Sequence, residues 1–200
     1  MVDCERVQSF DLSNNTGQRI EASEELDNPC SLARECSHGH IFVGECNSSL
    51  HRDSILVLDS SNLLIESSFG AGVLIEVTEL CLVPHDCILT CATDTEGATQ
   101  LFMYTELGEL LRRFSLGCGA SSACYVNGML YLLPMAEHEN APANSVVAVQ
   151  VQYDSVSVVQ TLVLHEDLDL VDACIDRGID DSQLLVVDYS KGLVRGLSFL

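Results

Sequence analysis

The segment Cys36-Ser37-His38-Gly39-His40, with Cys46 beyond it, gathers thiol and imidazole groups of the kinds that hold zinc. If the segment were extended, side-chain alternation would bring Cys36, His38 and His40 to one side. Gly39 reads instead as a turn residue, and the spacing matches no established zinc pattern, so the ordinary reading is a set of inert thiols. Cys81, Cys87 and Cys91 repeat the theme, and the gap between Cys81 and Cys87 recurs in Cys30/Cys36 and Cys118/Cys124. A gap that recurs along a chain points to a repeated core position rather than to a metal.

His85-Asp86 and His165-Glu166-Asp167 place a general-base type beside acids. Both follow apolar runs, as loop residues do. Glu45, Asp94 and Asp188 carry carboxylates that suit calcium, but no EF-hand spacing supports them. There is no Gly-x-Ser-x-Gly elbow, and no glycine-rich loop leads a strand into a helix. The sequence therefore predicts no catalytic residue, no metal site and no cofactor. The competing class is a metal-dependent enzyme.

The charge balance excludes other classes. Thirty acids stand against nine bases, a net of -21, with Lys191 the only lysine. Such a surface repels phosphate backbones, so neither nucleic acid nor an anionic membrane is expected as a partner. No apolar run approaches the roughly 20 residues that span a bilayer. The start, Met1 to Arg6, has no basic segment followed by an apolar core, which predicts no signal peptide and a cytoplasmic location. Ten cysteines in 200 residues fall below the roughly 8–10% of a disulfide scaffold. Reduced, mostly buried thiols are the expectation.

The elements that must position these groups are strands. Asp53 to Gly70 sets the pattern: the run Ile55-Leu-Val-Leu58, the break Asp59-Ser-Ser-Asn62, and a second run closing at Phe69-Gly70. Short apolar runs about turn residues read as a β-hairpin. Before it, Arg6 to Ala22 forms a weaker hairpin about Ser13 to Gly17, with a helical turn open over 22–27. Pro29 opens a strand, and His40 to Val43 forms the next. The cycle returns with strands over 74–83 and 87–91 and a hairpin over 101–114. It returns again with strands about Asn127-Gly128 and a hairpin over 146–164. A last cycle holds Leu184 to Asp188 and Leu193 to Leu200. Leu164, Leu168, Val171 and Ile175 also fit helical spacing, leaving a short helix open there.

Ile41, Ile88, Leu130 and Leu185 mark the strand after each short turn, and the cycle recurs about every 40–50 residues once the polar stretch 136–145 is treated as a loop insertion. A four-stranded unit at that period is the signature of an all-β propeller. The expectation is one domain over residues 1–200, with inner strands near those four residues. A sandwich or barrel is the alternative, disfavoured by the repeated turn-strand-turn order.

Pro29-x-x-Leu32, Gly39-His-Ile-Phe-Val-Gly-Glu-Cys46, Ile55-Leu-Val-Leu-Asp59 and Ser68-Phe-Gly70 together resemble an NHL repeat. Leu185-Val-Val-Asp-Tyr-Ser-Lys-Gly-Leu193 resembles the middle of the same repeat, while the usual Asn-His or Asn-Arg pair of the hairpin is absent. The resemblance implies a propeller that serves as a scaffold for protein or RNA binding, with a calcium- or zinc-dependent hydrolase or lyase on the same kind of propeller as the alternative. It also implies six blades where the cycles here give four or five. Either the ends join in one composite blade, or the chain is part of a longer propeller. An open array would expose strand edges and favour self-association.

Scaffold function then falls to loops. Glu24, Glu25, Asp94, Glu96, Glu137, Glu139, Glu166, Asp167, Asp180 and Asp181 all sit in expected connections. If successive blades bring them to a shared face, their potentials add. The reading is a non-catalytic protein-interaction module whose partner is a basic protein or peptide.

Overall fold

The computed structural model describes residues 6–11, 18–23, 26–34, 39–46, 53–83, 87–93, 99–116, 120–126, 128–134, 145–152, 155–164, 170–177, 182–188 and 191–198. Every regular element among them is a strand, and all pairing is antiparallel. β1 (Gln8–Asp11) and β2 (Gln18–Ala22) form a hairpin, as the first turn signal predicts. β3 (Pro29–Arg34), β4 (His40–Glu45), β5 (Asp53–Asp59), β6 (Ile65–Val83), β7 (Cys87–Thr93), β8 (Thr99–Thr105) and β9 (Leu110–Ser115) follow in order. β10 (Ala120–Val126), β11 (Met129–Pro134), β12 (Ser145–Val151) and β13 (Val156–Val163) make a four-stranded sheet. β14 (Leu170–Arg177), β15 (Ser182–Asp188) and β16 (Leu193–Ser198) make a three-stranded one. The strand over 170–177 settles the helical alternative there, because its residues pair with β15 from Leu170 to Arg177.

β6 is where the structure departs from the sequence reading. The hairpin strand does not stop at Phe69-Gly70 but runs on to Val83. Its first part pairs with β5, from Leu58↔Ile65 to Asp53↔Leu74, and its last part pairs with β7, from Ile75↔Thr93 to Val83↔Cys87. Gly70, Gly72 and Glu76 all take positive φ, and the register shifts between Ile75 and Glu79. Those left-handed residues break the pleat and redirect the chain from one partner strand to the next. The seven strands are thus two four-stranded units that share β6.

The units stack face to face, which explains a pattern that alternation alone would not. β5 is buried from Asp53 to Leu58, and β7 from Cys87 to Ala92. A middle strand covered on both faces reads as a continuous apolar run. One core joins Phe42, Ile55 and Val57 to Leu80, Ile88 and Phe102 across the first and second units. A second joins Cys87, Leu89 and Met103 to Leu130, Leu132 and Val149 across the second and third. A third joins Leu133 and Val146 to Leu170, Leu184 and Val186. Val7 and Leu26 close the other side of the first unit against Ile41, Val43, Leu56 and Leu58. The outermost strands β9 and β13 are largely exposed.

The first strands, β3, the last part of β6, β10 and β14, touch one another from unit to unit. Ser122 Oγ donates to Glu79 Oε2 at 3.4 Å and Cys81 Sγ to the Ala123 carbonyl at 3.6 Å, so the last part of β6 and β10 advance in the same direction. Ile41, Ile88, Leu130 and Leu185 lie on the second strand of each unit, one place away from the line where units meet. The short turn before each of them had suggested the inner position. The inner strand is the one before that turn.

Tyr104 on β8 is an exception to the apolar core. It is 2% exposed, its ring lies 5.1 Å from that of Phe69, and its hydroxyl finds no hydrogen-bond partner among the described residues. Burial pushes its phenol up to about 12. A raised folded value means stability that is intact below the free phenol's range near 10 and is lost as pH climbs from there toward 12. Tyr104→Phe removes a buried hydroxyl that gains nothing from the fold. It is expected to leave stability at pH 7 unchanged or slightly higher, within about 1 kcal/mol. It should also flatten the loss between pH 10 and 12, checked by urea denaturation of both proteins at each pH.

Candidate functional site

The ten acids expected to bind a partner all fall outside the described residues: Glu24, Glu25, Asp94, Glu96, Glu137, Glu139, Glu166, Asp167, Asp180 and Asp181. What the structure defines is the strand ends that bracket them. In an antiparallel unit the second strand ends, and the third begins, at the edge where the first strand begins. Asp94 and Glu96 lie in sequence between the second strand β7 and the third strand β8. Glu137 and Glu139 lie between β11 and β12 in the same way. Glu24 and Glu25 precede the start of β3, and Glu166 and Asp167 precede the start of β14. The strand ends on either side of these eight acids share one edge of their units. Asp180 and Asp181 follow the end of β14, at the opposite edge.

Two turns repeat at that opposite edge. The carbonyl of Gly39, just before β4, accepts the Ser60 N–H at 2.8 Å. The carbonyl of Gly128, just before β11, accepts the Val151 N–H at 3.1 Å. Both glycines take positive φ, 78° and 85°. A positive-φ glycine thus precedes the second strand in two of the units, and Gly39 is a turn residue as its sequence context predicts.

Of the proposed zinc residues, Cys36 and His38 lie outside the described residues. His40 heads away from Cys46: its Nε2 lies 3.3 Å from Glu66 Oε2, and its ring packs edge-on to Phe42 at 6.2 Å. Among the described residues no group of three or more His, Cys, Asp or Glu side chains is arranged to hold a metal. Glu45, a calcium candidate, is a strut: Oε1 accepts the Asp27 N–H at 2.8 Å and Oε2 the Ser54 hydroxyl at 3.4 Å. Asp188 is wholly buried on β15, and Asp94 lies outside the described residues. So do His85, Asp86, His165, Glu166 and Asp167. Cys81, Cys87 and Cys91 are buried in the core, and burial pushes the Cys81 thiol well up, but Cys30 and Cys124, at the recurring gap in other units, are exposed and half-buried, so the gap does not mark one repeated core position. Cys118 lies outside the described residues.

One grouping was not legible beforehand. Cys30, at the start of β3, and Cys46, one residue past β4, face each other with sulfurs 3.4 Å apart. Cys46 backs onto Asn28 through a 3.1 Å backbone hydrogen bond, and a bulge between Pro29 and Ser31 turns Cys30 toward it. Both sulfurs reach the Val77 carbonyl, at 2.9 Å from Cys30 and 3.4 Å from Cys46, while the Val77 N–H is held by Asp53 Oδ2 at 3.0 Å. The hydrogen bond from Cys46 lowers the Cys30 thiol. The same bond, with burial and the Asp53 carboxylate, raises that of Cys46. Cys30 is exposed and Cys46 half-buried.

No family model matches the sequence, and no curated protein does. Solved structures do match, at low identity over nearly the whole chain. A structure titled Mitotic Checkpoint Complex gives a TM-score of 0.67 at 12% identity, covering 99% of this chain and 60% of that one. Saccharomyces cerevisiae Sqt1 gives 0.65 at 10% identity, covering 98% and 55%. Kuenenia stuttgartiensis hydrazine synthase gives 0.63 at 12%, covering 98% and 60%. This chain therefore spans 55–60% of the length of these proteins. Together with the stacked antiparallel units, the likeness establishes an all-β, propeller-like fold.

Proposed function

We propose that this chain is a non-catalytic protein-binding scaffold: a single NHL-like propeller domain over residues 1–200, of four to five blades, whose acidic connections take a basic protein or peptide in the cytoplasm. The observation that carries this reading is the likeness of almost the whole chain to one in a structure titled as a multi-protein complex. The net charge of -21 supports the sign of the partner. Eight acids bracketed by strand ends at one edge would sum their potentials there, which raises association rate and selects basic partners. Self-association is a second part of the proposal. Val158, Val159, Leu162 and Val163 are exposed on the uncharged outer strand β13, an edge open to pairing.

The test is retention of cellular proteins on the immobilised full chain at about 50 mM and about 500 mM salt, where the screening length shortens from ~14 to ~4 Å. Bound proteins enriched in Lys- and Arg-rich segments, falling on the order of tenfold at high salt, are the expected result. The combined change Glu137→Gln and Glu139→Gln should weaken low-salt retention. Retention indifferent to salt, or tight binding of RNA, would overturn the electrostatic reading. Stoichiometric calcium or zinc in purified protein would turn the assignment toward a metal-dependent hydrolase or lyase.

A further inference from the structure

We propose that Cys30 and Cys46 form a dithiol modification site that hydroperoxides oxidise to an intramolecular disulfide. The pair is built rather than incidental. A β-bulge and the Asn28–Cys46 backbone bond fix the two ends of neighbouring strands, and the sulfurs already stand 3.4 Å apart. Gly44 keeps the space open. A Cβ there would lie 2.6 Å from Ser31 Oγ, 2.9 Å from Val77 Cγ1 and 3.2 Å from the Cys30 sulfur.

The two thiols have different roles. Cys30 is exposed, and the S–H of Cys46 points at its sulfur, so a Cys30 thiolate is stabilised by a donor that itself stays protonated. The hydrogen bond to Cys30 and burial keep Cys46 in that donor state, with Asp53, which holds the Val77 N–H, adding to them. The Cys30 thiolate attacks one oxygen of the hydroperoxide. An S–O bond forms, the O–O bond breaks, and the alkoxide or hydroxide released takes a proton from solvent. Once the Cys30 thiolate has become a sulfenic acid, the contact that held the Cys46 proton is gone, and Cys46 gives it up as its sulfur attacks the Cys30 sulfur. The S–S bond forms, the S–O bond breaks, and the departing hydroxide leaves as water with the Cys46 proton. The two thiols lose two electrons and the peroxide gains them.

Oxidation also changes the fold locally. In the dithiol the Cys46 S–H is directed at Cys30, which leaves the Cys30 S–H for the Val77 carbonyl; a disulfide has no S–H, so that carbonyl loses its sulfur donor. Val77 lies on the part of β6 that carries the chain from the first unit to the second. The site therefore reports on redox state at a joint between units.

The experiment is graded hydrogen peroxide on the native full chain, followed by alkylation and non-reducing peptide mapping. A Cys30–Cys46 cross-link is expected on the order of tenfold sooner than any modification of the buried Cys81, Cys87 or Cys91, and dithiothreitol should reverse it. In Cys46→Ser, Cys30 should be trapped as sulfenic acid by dimedone with no cross-link. In Cys30→Ser, Cys46 should stay an alkylatable thiol at the same dose. The wild-type mapping stands even if a variant folds poorly. Failure of the cross-link to form, or its formation no faster in native protein than in urea, would overturn the proposal.

Discussion

Replacing Phe102 by alanine should cost about 4 kcal/mol of stability, the typical loss when a fully buried phenylalanine leaves a cavity. Phe102 is 0% exposed on β8 and belongs to the core that joins the first unit to the second, with Phe42, Ile55, Val57, Leu80 and Ile88. These neighbours come from four different strands of two units, each fixed by ladder hydrogen bonds, so none can move far to fill the gap. A loss of that size is a large part of the roughly 5–15 kcal/mol that holds a domain together. Phe102→Leu keeps most of the volume and should cost about 1.5 kcal/mol or less. Urea denaturation checks both: the midpoint should fall with the slope unchanged. A loss below 1 kcal/mol for Phe102→Ala would mean that the two units do not pack as tightly as this core requires.

The same core shows what was legible beforehand. Runs such as Ile55-Leu-Val-Leu58 and Leu101-Phe-Met-Tyr104 have no polar alternation, which marks strands covered on both faces. Asp59-Ser-Ser-Asn62 has the side chains that fold back on their own backbone, and Asp59 Oδ1 does accept the Ser61 N–H at 2.7 Å. Two other features depend on pairing partners distant in sequence. Which strand lies innermost is decided by contacts between units, not by any strand's own residues. Cys30 and Cys46 are separated by two strand segments and a turn, and only the bulge in β3 sets the register that brings their sulfurs together. The zinc-type residues Cys36 to His40 stand together in sequence with Cys46 beyond them, whereas the sulfur that Cys46 meets is on Cys30 across the strand pair.

β6 carries the same lesson. Phe69-Gly70 signalled a stop, and the positive φ of Gly70 and Gly72 does bend the chain, but the strand resumes pairing at once. A glycine reports a backbone conformation, not the end of a ladder. Because one continuous strand joins two units, damage near its bend should be felt in both.

The second large effect lies beside that bend, at Gly108. The Thr105–Glu109 connection between β8 and β9 is a tight hairpin: Thr105 N–H donates to the Glu109 carbonyl at 2.9 Å, and Gly108 N–H to the Thr105 carbonyl at 2.9 Å. Gly108 closes it at φ 83°. This is the left-handed position of a three-residue hairpin loop, where glycine avoids a cost of about 1–2 kcal/mol. Space makes it worse. A Cβ on Gly108 would stand 2.6 Å from both Cβ and Cγ of Phe69, on the β5-paired part of β6. These atoms sit at the root of the side chain, so no rotation of the ring relieves the overlap, and forcing them apart costs about 1–3 kcal/mol more. Gly108→Ala should therefore lose about 3 kcal/mol, most of it by prying the second unit's hairpin from the first unit's outer strand. A double-mutant cycle divides the two causes. Phe69→Ala alone loses ring packing against Tyr104, whose centroid is 5.1 Å away. It keeps its own Cβ but removes the Cγ and ring atoms from the overlap. The double variant should lose less than the sum of the singles by about 1 kcal/mol or more, leaving the backbone term and the contact with the remaining Cβ. Strict additivity would mean that the Cγ and ring of Phe69 contribute nothing to the cost of Gly108→Ala.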